Sequence, residues 1–126
     1  MSYFVLLLSL MLAALPARAQ PPVELQSGRG LLCDSAAQIE RFMAVFAGDA
    51  DAAVAIVNAE AEKTNACGVD DVLYRREQEL GTVKHGEEVY RVVQISVIGV
   101  QRAGRVIPLP LPQTQFTIVK IKSHGA

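Results

Sequence analysis

The chain has no tryptophan, only two cysteines and two histidines, and no apolar run long enough to cross a bilayer. Each shortage closes off a class of function. Cys33 and Cys67 lie too far apart in the chain to form the C-x-x-C pair of a redox motif or half of a four-cysteine zinc site. Neither His85 nor His124 sits in an H-E-x-x-H motif, and no G-x-S-x-G stretch supplies a nucleophile elbow. Twelve Lys and Arg against thirteen Asp and Glu leave no cationic excess. The basic footprint of a nucleic-acid or anionic-membrane binder is therefore missing.

The longest apolar run, Phe4 to Leu15, is twelve residues, whereas about 20 are needed to span the hydrocarbon core. Pro16 and the triplet Ala17-Arg18-Ala19 follow it, which together read as a signal h-region with an A-x-A cleavage site. No Lys or Arg precedes the run, so only the amino terminus supplies positive charge there. The expectation is a signal peptide over 1–19 and an exported protein, bacterial periplasmic or extracellular, with no integral membrane segment after cleavage. No cysteine directly follows the run to take a lipid. Removing 19 of the 126 residues leaves 107, the size of one domain with one core.

Export changes how the cysteines read. In an oxidising compartment two cysteines in a small domain pair with each other, so Cys33 and Cys67 are expected as a disulfide. The residues between them read as two helices. Ser35-Ala36-Ala37-Gln38 is a capping box, and Ile39, Phe42, Met43 and Phe46 then fall on one helical stripe. Gly48 ends that helix, and Asp49 caps a second whose body runs from Ala50 to about Glu62, with Ala53, Val54, Ile56 and Val57 on its buried side. Helices of similar length joined by a tight turn make an antiparallel hairpin, and the two cysteines lie just outside its open end. Residues 20–31, carrying Pro21, Pro22, Gly28 and Gly30, read as a flexible leader.

Beyond Val69 the texture turns to alternating β-branched and aromatic residues. Strands are expected over 72–76, 80–84, 88–102 and 115–122, with turns at Lys84 to Glu87 and Ala103 to Arg105. Gly99 marks a bulge or bend. Between the last two strands, prolines at 108, 110 and 112 remove ladder donors on one side, so Val106 to Pro112 is expected at a sheet edge or as an extended connection. The whole is predicted as an α+β domain over 32–123: an N-terminal helical hairpin packed on a mainly antiparallel sheet of about four strands, with one disulfide.

Chemistry is sparse. His85-Gly86-Glu87-Glu88 brings three potential ligands together, as a solvated hairpin turn also would. Asp70-Asp71 and Glu87-Glu88 are adjacent acids, which an extended chain points to opposite faces, so neither can share a proton. Arg75, Arg76, Arg91 and Arg102 form a basic strip if their strands are neighbours. The segment Ile107, Pro108, Leu109, Pro110, Leu111, Pro112 presents aliphatics on a stiffened backbone that is cheap to order against a partner, and it is the candidate partner-binding element. With no catalytic constellation and no cofactor or metal site expected, the sequence points to a non-enzymatic binding module of the cell envelope, its partner an envelope protein. Two alternatives stand beside it: an inhibitor or accessory factor of an envelope enzyme that inserts the proline segment, and a small enzyme or metal carrier using His85.

Overall fold

The computed structural model describes residues 24–121. The signal peptide expected over 1–19, the start of the leader, His124 and the last residues of the expected domain lie outside the described residues. Six elements follow in chain order: β1 (Leu25–Cys33), α1 (Ala36–Val45), α2 (Ala50–Glu60), β2 (Cys67–His85), β3 (Glu88–Arg102) and β4 (Arg105–Lys120). The strands are antiparallel in the order β1-β2-β3-β4, and β4 returns to β1 to close the sheet.

Two strand expectations are corrected. Residues 25–31, expected as a flexible leader, are β1, paired with β2 from Leu25 opposite Arg75 to Cys33 opposite Cys67. The glycines at 28 and 30 weaken local strand preference, and pairing with a long neighbour overrides it. The two short strands expected over 72–76 and 80–84 are one strand, β2, whose register against β3 slips at Leu73/Tyr74, Arg76/Gln78 and Glu79/Gly81. Those bulges break the alternation that would otherwise have marked a continuous strand. The proline segment, expected as a sheet edge or an extended connection, lies within β4 and pairs with β3 alone, which is an edge position.

Local signals hold in the helices. The Ser35 hydroxyl accepts from the Gln38 amide at 3.2 Å while the Gln38 side chain accepts from the Ser35 amide at 3.0 Å. Asp49 Oδ1 accepts from the amides of Asp51 and Ala52 at 3.0 and 3.2 Å. Each cap contributes about 1 kcal/mol. Gly48 takes φ +96°, a conformation that a side chain would strain. Of the predicted buried side of α2, Ala53 and Val57 are buried and Val54 packs against the core, whereas Ile56 is 42% exposed and Asn58 is buried instead.

Two apolar clusters hold the domain. The first joins both helices to all four strands: Ile39, Phe42, Met43, Ala53 and Val57 pack with Leu31, Cys33, Cys67 and Val92, bordered by Phe116 and Ile118. Burying a side chain such as Ile39 or Val57 contributes roughly 1.5–3 kcal/mol. The second, Val72, Val93, Ile95 and Val97 with Leu32, Tyr74, Val100, Leu109 and Val119 around them, contains no helical residue. It draws on every strand, so the curl of the sheet is what encloses it. Successive residues of β3, Val92 and Val93, serve opposite clusters, which is the period of two in a strand with both faces covered.

Closure of the sheet is slight. β1 and β4 meet in register only where Cys33 faces Phe116, and the buried Thr117 hydroxyl donates to the Leu31 carbonyl at 2.6 Å. Beyond that point a slit of about 100 Å³ separates Gly28 and Gly30 of β1 from Val119 of β4 and reaches Val72, Tyr74 and Ile95 of the second cluster.

Candidate functional site: the proline bulge and the barrel mouth

The antiparallel ladder between β3 and β4 pairs Gly99 with Pro108 and Val97 with Gln113. Four residues of β4, Leu109 to Pro112, therefore stand opposite Ile98 alone. A bulge of that size bends the strand outward, and the prolines, which offer no N–H to the ladder, keep it from closing. The two halves of the excursion face differently. Leu109 packs against the second cluster, whereas Leu111 is 76% exposed and Val106 and Ile107 are 47% and 49% exposed. Pro108, Pro110 and Pro112 are exposed as well. Of the candidate partner-binding residues, the structure thus brings Ile107 and Leu111 to the surface and turns Leu109 inward.

Gly99 makes the start of the bulge possible. A Cβ placed there would stand 2.9 Å from Val106 Cγ1 and 3.1 Å from the Ile107 carbonyl oxygen, so β4 approaches this position more closely than any side chain allows.

Behind the bulge lies the mouth of the curled sheet, a cleft of about 290 Å³. Leu32, Val72, Val97, Val100 and Leu109 line its apolar part, and Asp34, Asp70, Asn65, Gln113 and Gln115 its polar part. Gln115 Nε2 donates to Asp34 Oδ1 at 3.2 Å, and Lys63 Nζ stands 3.4 Å from Asp34 Oδ2. Arg102 grips both oxygens of Asp70 at 2.8 and 2.9 Å. That paired hydrogen bond is the main cause holding the Asp70 carboxyl below its usual value, against a smaller opposing push from burial. Sequence reasoning missed this cleft because its lining comes from all four strands, and only strand order reveals it.

The disulfide joins Cys33 and Cys67 as directly paired residues of β1 and β2, with Cα atoms 4.1 Å apart. It closes the base of the segment that carries both helices. Asn58, which carried no motif, completes that base: its side-chain oxygen accepts from the Cys67 amide at 2.7 Å and its Nδ2 donates to the carbonyls of Cys67 and Thr64, both at 3.1 Å.

His85 ends β2 and is tied to a different task. Its Nε2 lies 2.7 Å from the Phe46 carbonyl, the C-cap of α1, and its ring packs at 5.3 Å against the Phe46 ring. Facing a carbonyl, that nitrogen carries the proton and donates it. Among the described residues no three His, Cys, Asp or Glu side chains gather as a metal site.

The four arginines do not share a strip. Arg75 pairs with Glu77 at 3.4 Å, Arg91 with Glu79 at 3.2 Å and Arg102 with Asp70, while Arg76 donates to Gln26 at 3.1 Å. The adjacent acids are divided likewise, with Glu88 on Lys120 at 3.0 Å and Asp70 on Arg102. No helix among the described residues is long and apolar enough to cross a membrane. Neither the protein-family models, nor the curated proteins, nor the solved structures contain a match to this chain.

Proposed function

We propose that this protein is a non-catalytic binding module of an oxidising compartment outside the cytoplasm, and that it contacts an envelope protein through Val106 to Pro112. The observation that carries this reading is the bulge itself: Leu111 stands 76% exposed between two prolines while Leu109, two residues earlier, anchors the segment to the core. A large aliphatic held outward on a stiff backbone loses little entropy on binding and gains the burial of its side chain. In this reading the helices form an antiparallel hairpin braced on the sheet, and the disulfide at their base makes a rigid backing for the contact segment. The Cys33–Cys67 bond supports export, since such bonds persist where thiols are oxidised.

The same exposure favours a narrower second reading, in which the protruding segment enters the cleft of an envelope enzyme as an inhibitor or accessory factor. The two are separated by what the segment captures. In a pull-down from periplasmic extract the wild-type chain should retain a partner at micromolar concentration and Leu111→Asp should lose it. A partner held equally by both, or none held by wild type, would refute the assignment of this segment. Capture of an enzyme whose turnover changes on binding selects the inhibitor reading.

A further inference from the structure

The seam between β1 and β4 stays open below Cys33 and Phe116, where a further strand would close it. We infer that the free edge of β1, Leu25 to Gly30, takes an extended segment of a partner polypeptide as an added antiparallel strand, with an aliphatic side chain of the guest filling the slit. This surface is separate from Val106 to Pro112 and goes beyond the contact proposed there.

Three observations fix which way the backbone of β1 points. Cys33 and Cys67 stand opposite each other with Cα atoms 4.1 Å apart, the spacing of a non-hydrogen-bonded pair at about 4.5 Å and not of a bonded one at about 5.5 Å. At the next residue the Asp34 amide does donate to the Ala66 carbonyl, at 2.9 Å. On the opposite side the Leu31 carbonyl takes the Thr117 hydroxyl of β4. The pairing of β1 with β2 has no bulge from Leu25 to Cys33, so the alternation carries back along the strand. The N–H and C=O of Leu25, Ser27 and Arg29 therefore point away from β2 and into the seam. Among the described residues β4 does not meet them, because its registered pairing with β1 is Cys33 with Phe116 alone.

A row of donors and acceptors repeating at every second residue is the complement of another strand's backbone, the way a peptide adds to a sheet edge. The other edges of this fold are defended. Pro108, Pro110 and Pro112 leave three positions of β4 without a donor. Beyond Arg75, where β1 no longer covers it, β2 slips in register at Arg76/Gln78 and Glu79/Gly81 and carries Glu77 and Glu79. Leu25 to Gly30 has no proline, no bulge and a single charge, Arg29.

The slit selects the guest. Gly28 and Gly30 line it above Val72, Tyr74 and Ile95, and a Cβ on Gly28 would meet nothing within 4 Å. A cavity of about 150 Å³ accepts a benzene ring, so this slit of about 100 Å³ accepts one branched aliphatic group and no further backbone. Directly opposed residues of an antiparallel pair share a face, so the guest residues opposite Gly28 and Gly30 are the ones that reach the slit. A second copy docking by the same free stretch would bring Gln26, Gly28 and Gly30 to that face. None of these has an aliphatic side chain to fill it, so the occupant is a different polypeptide.

Amide hydrogen exchange of the purified protein reads this edge directly. Without peptide, the Ser27 and Arg29 amides should exchange fast and those of Gly28 and Gly30, which face β2, slowly. Titration with N-acetyl-Lys-Thr-Val-Thr-Val-Thr-Lys amide should protect Ser27 and Arg29 saturably and shift the Val72 and Ile95 methyl signals. N-methylation of the middle threonine, which faces the edge, should weaken binding about tenfold, the loss of one hydrogen bond. Ser27→Pro removes a donor that β2 does not use, so the chain should fold and bind the peptide about tenfold more weakly. Gly28→Val fills the slit at a position whose φ needs no glycine, and should also cost about tenfold. Protection of Ser27 and Arg29 in the peptide-free chain would mean that the seam is already closed, and protection that rises with protein concentration would make a second copy the occupant. Affinity unchanged in both variants would place the guest elsewhere, and any of these three results overturns the inference. Because Leu111→Asp leaves this edge intact, its peptide titration should match wild type, so loss of partner capture in that variant bears on the proline segment alone.

Discussion

Asn58 holds Cys67 by both of its backbone groups, accepting from its amide at 2.7 Å and donating to its carbonyl at 3.1 Å. One side chain of α2 thus does for the first residue of β2 what a neighbouring strand would do, at the residue whose sulfur bonds Cys33. Asn58→Leu keeps the branched skeleton of the side chain and leaves two buried backbone groups without partners, each costing about 1–3 kcal/mol. Urea unfolding should show a loss of about 2–4 kcal/mol. A loss under about 0.5 kcal/mol, the size of an ordinary surface change, would mean that Asn58 contributes nothing to this junction.

The disulfide closes a loop with a sequence separation of 34, which in the chain-entropy account stabilises by about 3–4 kcal/mol. Replacing both Cys33 and Cys67 with Ala should therefore lower the unfolding free energy by about that amount, most of a small domain's 5–15 kcal/mol margin at its lower end. Intact mass after alkylation with and without reductant checks the bond directly. Two free thiols in natively produced protein would contradict it.

What the sequence made legible was local, and what it hid was long-range. The Ser35 and Asp49 caps, the glycine at 48 and the whole of β3 obey rules that act within a few residues, so periodicity and capping located them. β1 escaped because its pairing with β2 joins positions 50 residues apart, Leu25 with Arg75, while its own glycines argue for a loop. Asn58 escaped because its partners, Thr64 and Cys67, are displayed only after the chain turns from helix to strand. The prolines of 106–112 drew attention to that segment, yet composition could not divide it into an inward Leu109 and an outward Leu111.

Gly99 carries the close approach of β3 and β4. In Gly99→Ala the new methyl would press within 2.9 Å of Val106 Cγ1 and 3.1 Å of the Ile107 carbonyl, and the backbone atom cannot give way without moving the strand. Overpacking of this kind costs typically 1–3 kcal/mol. The variant should unfold earlier in urea and show amide shifts concentrated in 105–112; an unchanged midpoint would place the two strands further apart than described.

Asp70 and Arg102 give stability a pH dependence of known sign. Because Arg102 holds the Asp70 carboxyl below its ordinary value in the folded state, the unfolded chain binds the proton more readily. The contribution is therefore present above the ordinary carboxylate range near pH 4 and is lost as pH falls through the lower folded value. An ion pair this exposed contributes little, because solvent screens it. Comparing wild type with Arg102→Gln, the gap in unfolding free energy should be open at pH 7 and should narrow below pH 4. A gap that widens on acidification would reverse the assignment.

Leu109 and Leu111 separate folding from contact within three residues. Leu109→Ala removes a half-buried side chain from the second cluster, a partial version of the 2–5 kcal/mol cost of a fully buried leucine, so about 1–2 kcal/mol is expected. Leu111→Ala touches little, since that side chain is 76% exposed, and stability should hold within about 0.5 kcal/mol. The two substitutions are the same in chemistry, so any difference comes from where the bulge turns each side chain. If binding is carried by the outward residue, partner capture should fall with Leu111→Ala at unchanged stability and persist in Leu109→Ala at temperatures where that variant remains folded. Equal stability losses for both would mean that the bulge folds flat onto the sheet, and the exposed contact on which the binding reading depends would not exist.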